Sequence, residues 1–225
     1  MAQMIDDVHQ KLMLGEVFIH DIINTLDLRG KLALDIGANY GHYARYLADA
    51  GAKVVAFEPD ADNFQGMLDK DEGGGNITYE KTAVGNVNGP VPFYLCPLNP
   101  GAHSIDGTLL NYDWGHSKEH IIQVPCVRLD DYFSPETNIS FMKIDVEGAE
   151  EGVLRGAENL LRKTNPKSIA LETHRTINCD SIYRFMSSMG YYFYIKRNSD
   201  DRKSYIAQVD RIYTDCHYLI TNVPR

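Results

Sequence analysis

Residues 32–60 read LALDIGANYGHYARYLADAGAKVVAFEPD, and this stretch decides the fold. An apolar run reaches Asp35, a small-residue loop holds Gly37 and Gly41, a helical pattern follows, and a second apolar run ends at Glu58. Strand, glycine loop, helix and parallel strand form the unit from which nucleotide-binding α/β sheets are built. The glycines here are spaced G-x-x-x-G. A dinucleotide fingerprint needs G-x-G-x-x-G, whose second glycine lets the backbone approach a pyrophosphate. Asn39 stands at that position, and Asp35 suits a cation better than a polyanion.

S-adenosylmethionine fits these residues. It carries an ammonium, a sulfonium and a ribose with two free hydroxyls. Asp35 can face its cationic methionine end, while Gly37 permits close backbone contact. Glu58 follows Gly37 by 21 positions, close to the ~20-residue separation of the ribose-binding acid in such folds. A carboxylate there accepts two bonds from vicinal hydroxyls, and charged acceptors bind more strongly than neutral ones.

The same logic recurs in FMKIDVEGAEEGVLRGAENLL, residues 141–161. Lys143 lies inside an apolar strand, where an unpartnered ammonium would be costly. Asp145 and Glu147 are its natural partners, because alternate strand residues share a face. The next strand, SIALETH, brings Glu172, Thr173 and His174 to the same sheet edge, where open α/β sheets bind ligands. His174 titrates near neutrality when unperturbed, so it can serve as a general base.

Outward from these motifs, strands are expected at 31–36, 53–58, 77–84, 139–145 and 167–172, with helices at 40–50, 60–70, 148–163 and 178–189. Such alternation predicts an α/β fold, a parallel sheet covered by helices on both faces. Residues 1–30 read as a helical segment with Val17, Phe18, Ile22, Ile23 and Leu26 on its apolar face. GYYFYIKR and HYLITNV, joined by the polar stretch NSDDRKSYIAQVDR, are expected to form an antiparallel pair at the sheet's edge. Residues 85–138 form an irregular insertion, with PVPFYL and IIQVPCVRL as strands within it. A 225-residue chain of this kind is expected to be one domain.

A net charge of −9 argues against nucleic acid, which needs a basic footprint. No apolar run approaches the ~18 residues of a membrane span, and the acidic start lacks a basic n-region. A cytoplasmic protein is expected. The four cysteines lie 30 or more residues apart, so no CxxC metal or redox motif exists. His116 and His120 have helical ligand spacing without the Glu that a zincin needs; a polar loop is the expectation there.

The segments LALDIGANYGHYARYLADAGAKVVAFEPD, TAVGNVNGPVPFYL, VPCVRLDDYF, FMKIDVEGAEEGVLRGAENLL and IALETH occur in the order seen in the FkbM family of S-adenosylmethionine-dependent methyltransferases, which the chain resembles over roughly residues 31–175. The resemblance implies a single-domain class I methyltransferase sheet of seven strands, ordered 3-2-1-4-5-7-6 with strand seven antiparallel. It also implies O-methylation of a small-molecule or carbohydrate hydroxyl. Asp35, Gly37, Ala38, Asn39 and Gly41 would hold the methionine end, and Glu58 the ribose. Ala83 and Val84 would border the adenine, and Asp145 and Glu147 would lie beside the methyl group and the acceptor.

Aliphatic hydroxyls need a base, for which Asp145, Glu147 and His174 are candidates, with Lys143 orienting a carboxylate or stabilising alkoxide charge and Glu172 at the same edge. A catechol-type variant would hold magnesium on Asp145 and Glu172, since hard cations take oxygen ligands; the metal-free form is the expectation. HSIDGTLLNYDWGHSKEH and Tyr191, Tyr192 and Tyr194 are candidate acceptor contacts, although the tyrosines equally suit a core or edge strand. A non-catalytic cofactor-binding scaffold and a nicotinamide-dependent oxidoreductase are the competing classes.

Overall fold

A computed structural model of the protein describes residues 17–71, 75–111, 120–164, 166, 168–174, 178–198, 204–213 and 216–222. Helix α1 runs through residues 17–25. It is followed by β1 (Leu32–Ile36), α2 (His42–Asp49), β2 (Lys53–Phe57), α3 (Ala61–Asp69) and β3 (Ile77–Glu80). Next come β4 (Ala83–Val84), β5 (Gly89–Tyr94), β6 (Ile121–Val127), α4 (Leu129–Tyr132) and β7 (Ile139–Ile144). The remainder is α5 (Glu150–Gly156), α6 (Glu158–Thr164), β8 (Ser168–Thr173), α7 (Cys179–Ser187), β9 (Tyr192–Asn198), β10 (Ser204–Val209) and β11 (Cys216–Thr221). Among the described residues, no helix is long and apolar enough to cross a membrane. His116 lies outside them.

The main sheet is ordered β10-β9-β11-β8-β7-β1-β2-β3. β1 pairs in parallel with β2 and β7, and β7 with β8, while β11 is antiparallel to β8. Numbering the main-sheet strands other than β10 gives the expected 3-2-1-4-5-7-6. The two faces of the sheet are packed differently because strand side chains alternate. Leu34, Ile36, Val55, Phe57, Met142 and Ile144 fill the larger cluster with α5, α6 and α7. Ala33, Ala56 and Ala170 lie on the other face, where small side chains admit α1 and α2 closely. Phe18, Ile22 and Ile23 of α1 seal that face, while Val17 is half exposed.

Three expectations are corrected. The polar stretch after β9 contains an eighth strand, β10, which pairs with β9 from Ser204 opposite Asn198 to Val209 opposite Phe193. It takes the edge in place of β9, while β11 lies between β8 and β9 as the expected order puts strand seven. The helix expected over 148–163 is two helices, broken at Ala157. A side chain on Gly156 would come within 1.9 Å of the Gly85 carbonyl, so the end of α5 abuts bare backbone. The strand expected over 77–84 divides after Glu80, because Thr82 turns to donate to the Pro125 carbonyl (2.9 Å). Its second half, β4, joins β6 and β5 in a separate three-stranded sheet. Part of the 85–138 stretch is therefore regular structure.

Candidate active site

A cavity opens at the C-terminal ends of β1, β2 and β7, where open α/β sheets bind ligands. Its apolar wall is Ile36, Phe57, Ala83, Val84, Phe93 and Ile105, and its polar wall includes Asn39, Glu58, Asn63 and His103. The Asn39 and Asp60 backbone N–H groups each donate to one Glu58 carboxylate oxygen at 2.8 Å. Burial pushes the Glu58 carboxyl up to about 7, against the pull of those two donors. Asp60 caps α3 by accepting from the Asp62 and Asn63 N–H groups, which sets Asn63 in the first helical turn beside Glu58. The Asn63 amide donates to the Pro100 carbonyl at 3.1 Å. Its oxygen, like that of Asn39, is buried without a hydrogen-bond partner among the described residues.

The roof is a strap after β5. His103 is fixed there by the Cys96 N–H donating to its Nδ1 (2.9 Å), with Nε2 3.8 Å from Asp60. The Ser104 hydroxyl donates to the Val146 carbonyl at 3.2 Å, tying the roof to the loop after β7. His103, Ser104 and Ile105 belong to the insertion expected to contact the acceptor, and they line the cavity. Residues 112–119 of that insertion lie outside the described residues.

Gly37 joins the two acidic loops. Its N–H donates to the Phe57 carbonyl (3.1 Å), and its own carbonyl accepts from Lys143 Nζ (3.0 Å). With φ at +78°, a Cβ would lie 1.8 Å from the Asp145 carbonyl oxygen. The close contact that demands glycine is therefore the protein's own backbone. Lys143 also donates to Asp145 (3.0 Å), sits 3.7 Å from Asp35, and lies over the Tyr43 ring. Burial would lower the ammonium's pKa, but Asp145 and Asp35 outweigh it and hold the group above its usual range. Asp35 itself is fully buried and does not line the cavity. Sharing a strand face with Ala33 aims it beneath α2, and burial raises its carboxyl to about 6 despite Lys143.

Asp145 and Glu147 line the cavity; Lys143, Glu172 and His174 do not. His174 stands behind them among four carboxylates: Glu150 at 2.7 Å from Nδ1, then Glu147 at 3.2 Å and Asp145 and Glu172 at 3.8 Å from Nε2. Burial would lower the imidazole, but the Glu150 hydrogen bond and the surrounding acids raise it to about 10. The four carboxylates around the ring therefore favour its protonated form. Burial raises Glu147 to about 8 although His174 pulls it down. Burial would also raise Asp145, but Lys143 and His174 reverse the sign and lower it. Asp145, Glu147 and His174 each offer one donor atom within 4.8 Å of the others, the spacing of a cation site. Both His174 nitrogens face acids, and Glu172, which only the magnesium variant would use, pairs with His217 at 2.9 Å.

Ala38 and Gly41 do not line the cavity: the Ala38 N–H is used by Phe57, and Gly41 starts α2 against Met67. Tyr191 and Tyr194 are core residues, and Tyr192 is exposed on β9. Asn63, Glu150 and His217 were not singled out from sequence, and Ser104 only as part of the insertion. Asn63 had a signal, a polar side chain one turn after a helix cap that follows the strand-end acid. Glu150 had another, an acid three residues after Glu147 at the start of the helical pattern.

Residues 35–193 match the family model described as Methyltransferase FkbM domain. A curated relative, hexuronic acid methyltransferase AglP of Haloferax volcanii, is 25% identical over 159 residues, 68% of this chain. The match spans about 60% of that relative's length. Among solved structures, an rRNA methylase from Streptococcus thermophilus aligns with TM-score 0.49 and 13% identity over 90% of this chain and 92% of that one. A precorrin-6y C5,15-methyltransferase from Geobacter metallireducens aligns with TM-score 0.44 and 12% identity over 90% and 84%.

Proposed function

The chain belongs to the FkbM methyltransferase domain family, and from that premise we propose that it moves a methyl group from S-adenosylmethionine to a hydroxyl of a small molecule or sugar. The observation that carries the cofactor is the polar lining of the cavity. Glu58 and the unpartnered Asn39 and Asn63 oxygens are acceptors, and no Lys or Arg lines the cavity among the described residues. Unpaired buried acceptors are costly, so the wall suits a ligand rich in hydroxyl, amine and cationic groups. It is ill suited to a pyrophosphate, which weighs against a nicotinamide cofactor. When bound, the cofactor supplies an electrophilic methyl on a sulfonium.

The remaining chemistry belongs to the chain. Glu58 and Asn63 hold the nucleoside side against Ala83 and Val84. Lys143 fixes the Gly37 carbonyl and Asp145, which brings the two acidic loops into register. Glu147 takes the proton of the acceptor hydroxyl, because it lines the cavity and its carboxyl is poised near the working pH, where a general base contributes about 10²–10⁴-fold. Asp145, ionised and facing the same space, orients the acceptor. The name of the archaeal relative supports a sugar acceptor.

Calorimetric titration with S-adenosylhomocysteine, with NAD as control, tests the cofactor. Micromolar binding of the first alone is expected; binding of NAD alone would overturn the reading. Release of S-adenosylhomocysteine across a panel of uronic acids, neutral sugars and catechols then tests the acceptor. No turnover on any of them, with cofactor bound, would favour the scaffold reading.

A further inference from the structure

Asn63 stands in the first turn of α3, 3% exposed, and lines the cavity. Its amide can be oriented in only one way. The Pro100 carbonyl, 3.1 Å away, accepts and cannot donate, so the amide nitrogen faces Pro100 and the oxygen faces elsewhere. Pro100 is itself fixed, in a short helical turn where the Asn99 side chain accepts the Gly101 N–H at 3.1 Å. The Asn63 oxygen is buried with no partner among the described residues. An acceptor left unmade in this way is costly, so a ligand carrying a donor gains by meeting it.

Matching donors to acceptors identifies that donor. A carboxylate offers about four acceptor sites. Glu58 spends two on the Asn39 and Asp60 N–H groups, and the remainder match the vicinal hydroxyls of a ribose. The Asn63 oxygen therefore needs a donor that the ribose does not supply. S-adenosylmethionine has two kinds left, the ammonium of its methionine end and the 6-amino group of its base. The ammonium falls to the loop after β1, where Asn39 has an unpartnered oxygen of its own. His103 in the roof offers the base no acceptor, because its Nδ1 already accepts the Cys96 N–H and the ring hydrogen then sits on Nε2. We propose that Asn63 selects adenine, its oxygen, held in place by Pro100, accepting from the 6-amino group of the base. This rests on the S-adenosylmethionine reading and deepens it: a purine lacking that amino group leaves the oxygen unpaired.

Calorimetry on the full chain compares S-adenosylhomocysteine with its 6-deamino analogue, in which purine replaces adenine, and with its 2′-deoxy analogue. The wild type should bind the deamino analogue about 10–100-fold more weakly than S-adenosylhomocysteine. In Asn63→Ala that ratio should shrink to within about threefold, the signature of coupling between the two deletions, while the penalty for removing the 2′-hydroxyl stays as in the wild type. A merely structural role would weaken all three ligands alike and keep the ratio, which overturns the proposal. A wild type that binds both purines equally overturns it too, as does an Asn63→Ala chain that loses the 2′-hydroxyl penalty instead. Should Asn63→Ala not fold, Asn63→Leu, which keeps the bulk without the polar atoms, is read in the same way. A wild type that binds none of the three strikes the cofactor reading and the proposal with it, whereas binding without discrimination strikes the proposal alone.

Discussion

At the ends of β1 and β2, Glu58 receives two backbone donors, and the Asn39 and Asn63 oxygens receive none. At the ends of β7 and β8, four carboxylates crowd within 3.8 Å of one histidine, and Lys143 ties Asp145 to Asp35. The first region keeps its acceptors unspent, so a ligand must complete them. The second satisfies its charges internally and thereby sets its own protonation. Substitutions in the first should register as affinity, and substitutions in the second as rate and pH dependence.

The most severe way to break this division is at the seam between the regions. Gly37→Ala would drive a methyl into the Asp145 carbonyl at a backbone angle few side chains adopt, and a loss of more than about 3 kcal/mol is expected by urea denaturation. An unchanged midpoint would show that the loops are not in register through that contact. Lys143→Met leaves Asp35 and Asp145 uncompensated, a change expected to cost about 3–5 kcal/mol. Adding Asp35→Asn should recover part of it; no recovery would mean that the pair is not coupled.

Glu147→Gln sharpens the comparison. Turnover should fall at least about a hundredfold, the rise in rate through pH about 8 should vanish, and S-adenosylhomocysteine affinity should barely move. Glu58→Gln should do the reverse, weakening that affinity about 10–100-fold as read by calorimetry. Equal effects of both on binding would erase the distinction.

The smallest effect is on stability against pH. His174 is raised to about 10, so its contribution is complete below its unfolded pKa of about 6.5 and is lost as pH rises towards about 10. Glu147 and Glu58, raised to about 8 and about 7, act in the same direction between their unfolded and folded values. Asp145, lowered, acts oppositely and only in acid. The Tm should therefore decline from pH 6 to pH 9, by about 2–4 °C for each kcal/mol lost. A Tm that rises over that range would contradict these assignments.

That β1, β2, β7 and β8 form a covered parallel sheet was legible because each is largely apolar on both faces, as a parallel strand between helix layers must be; their order came from the family resemblance. β10 was not legible, because an edge strand pairs on one side only and SYIAQV sits within a polar stretch. Glu58 was legible from its distance to Gly37. The burial of Asp35 was not: its motif marks the strand end, but only the assembled layers show that its face packs under α2. The roof strap escaped for a related reason. Its ties to Asn63, Asp60 and Val146 span 37–43 positions of chain, and nothing local in PLNPGAHSI announces them.

The contact of Gly37 with the Asp145 carbonyl also bears on what can vary in this protein. The spacing between the two loops is set there by main chain against main chain, with no side chain whose length could be traded. Substitutions elsewhere can retune affinity, charge or acceptor shape, yet they leave that gauge untouched. The distance between the two loops is thus insulated from most of the sequence.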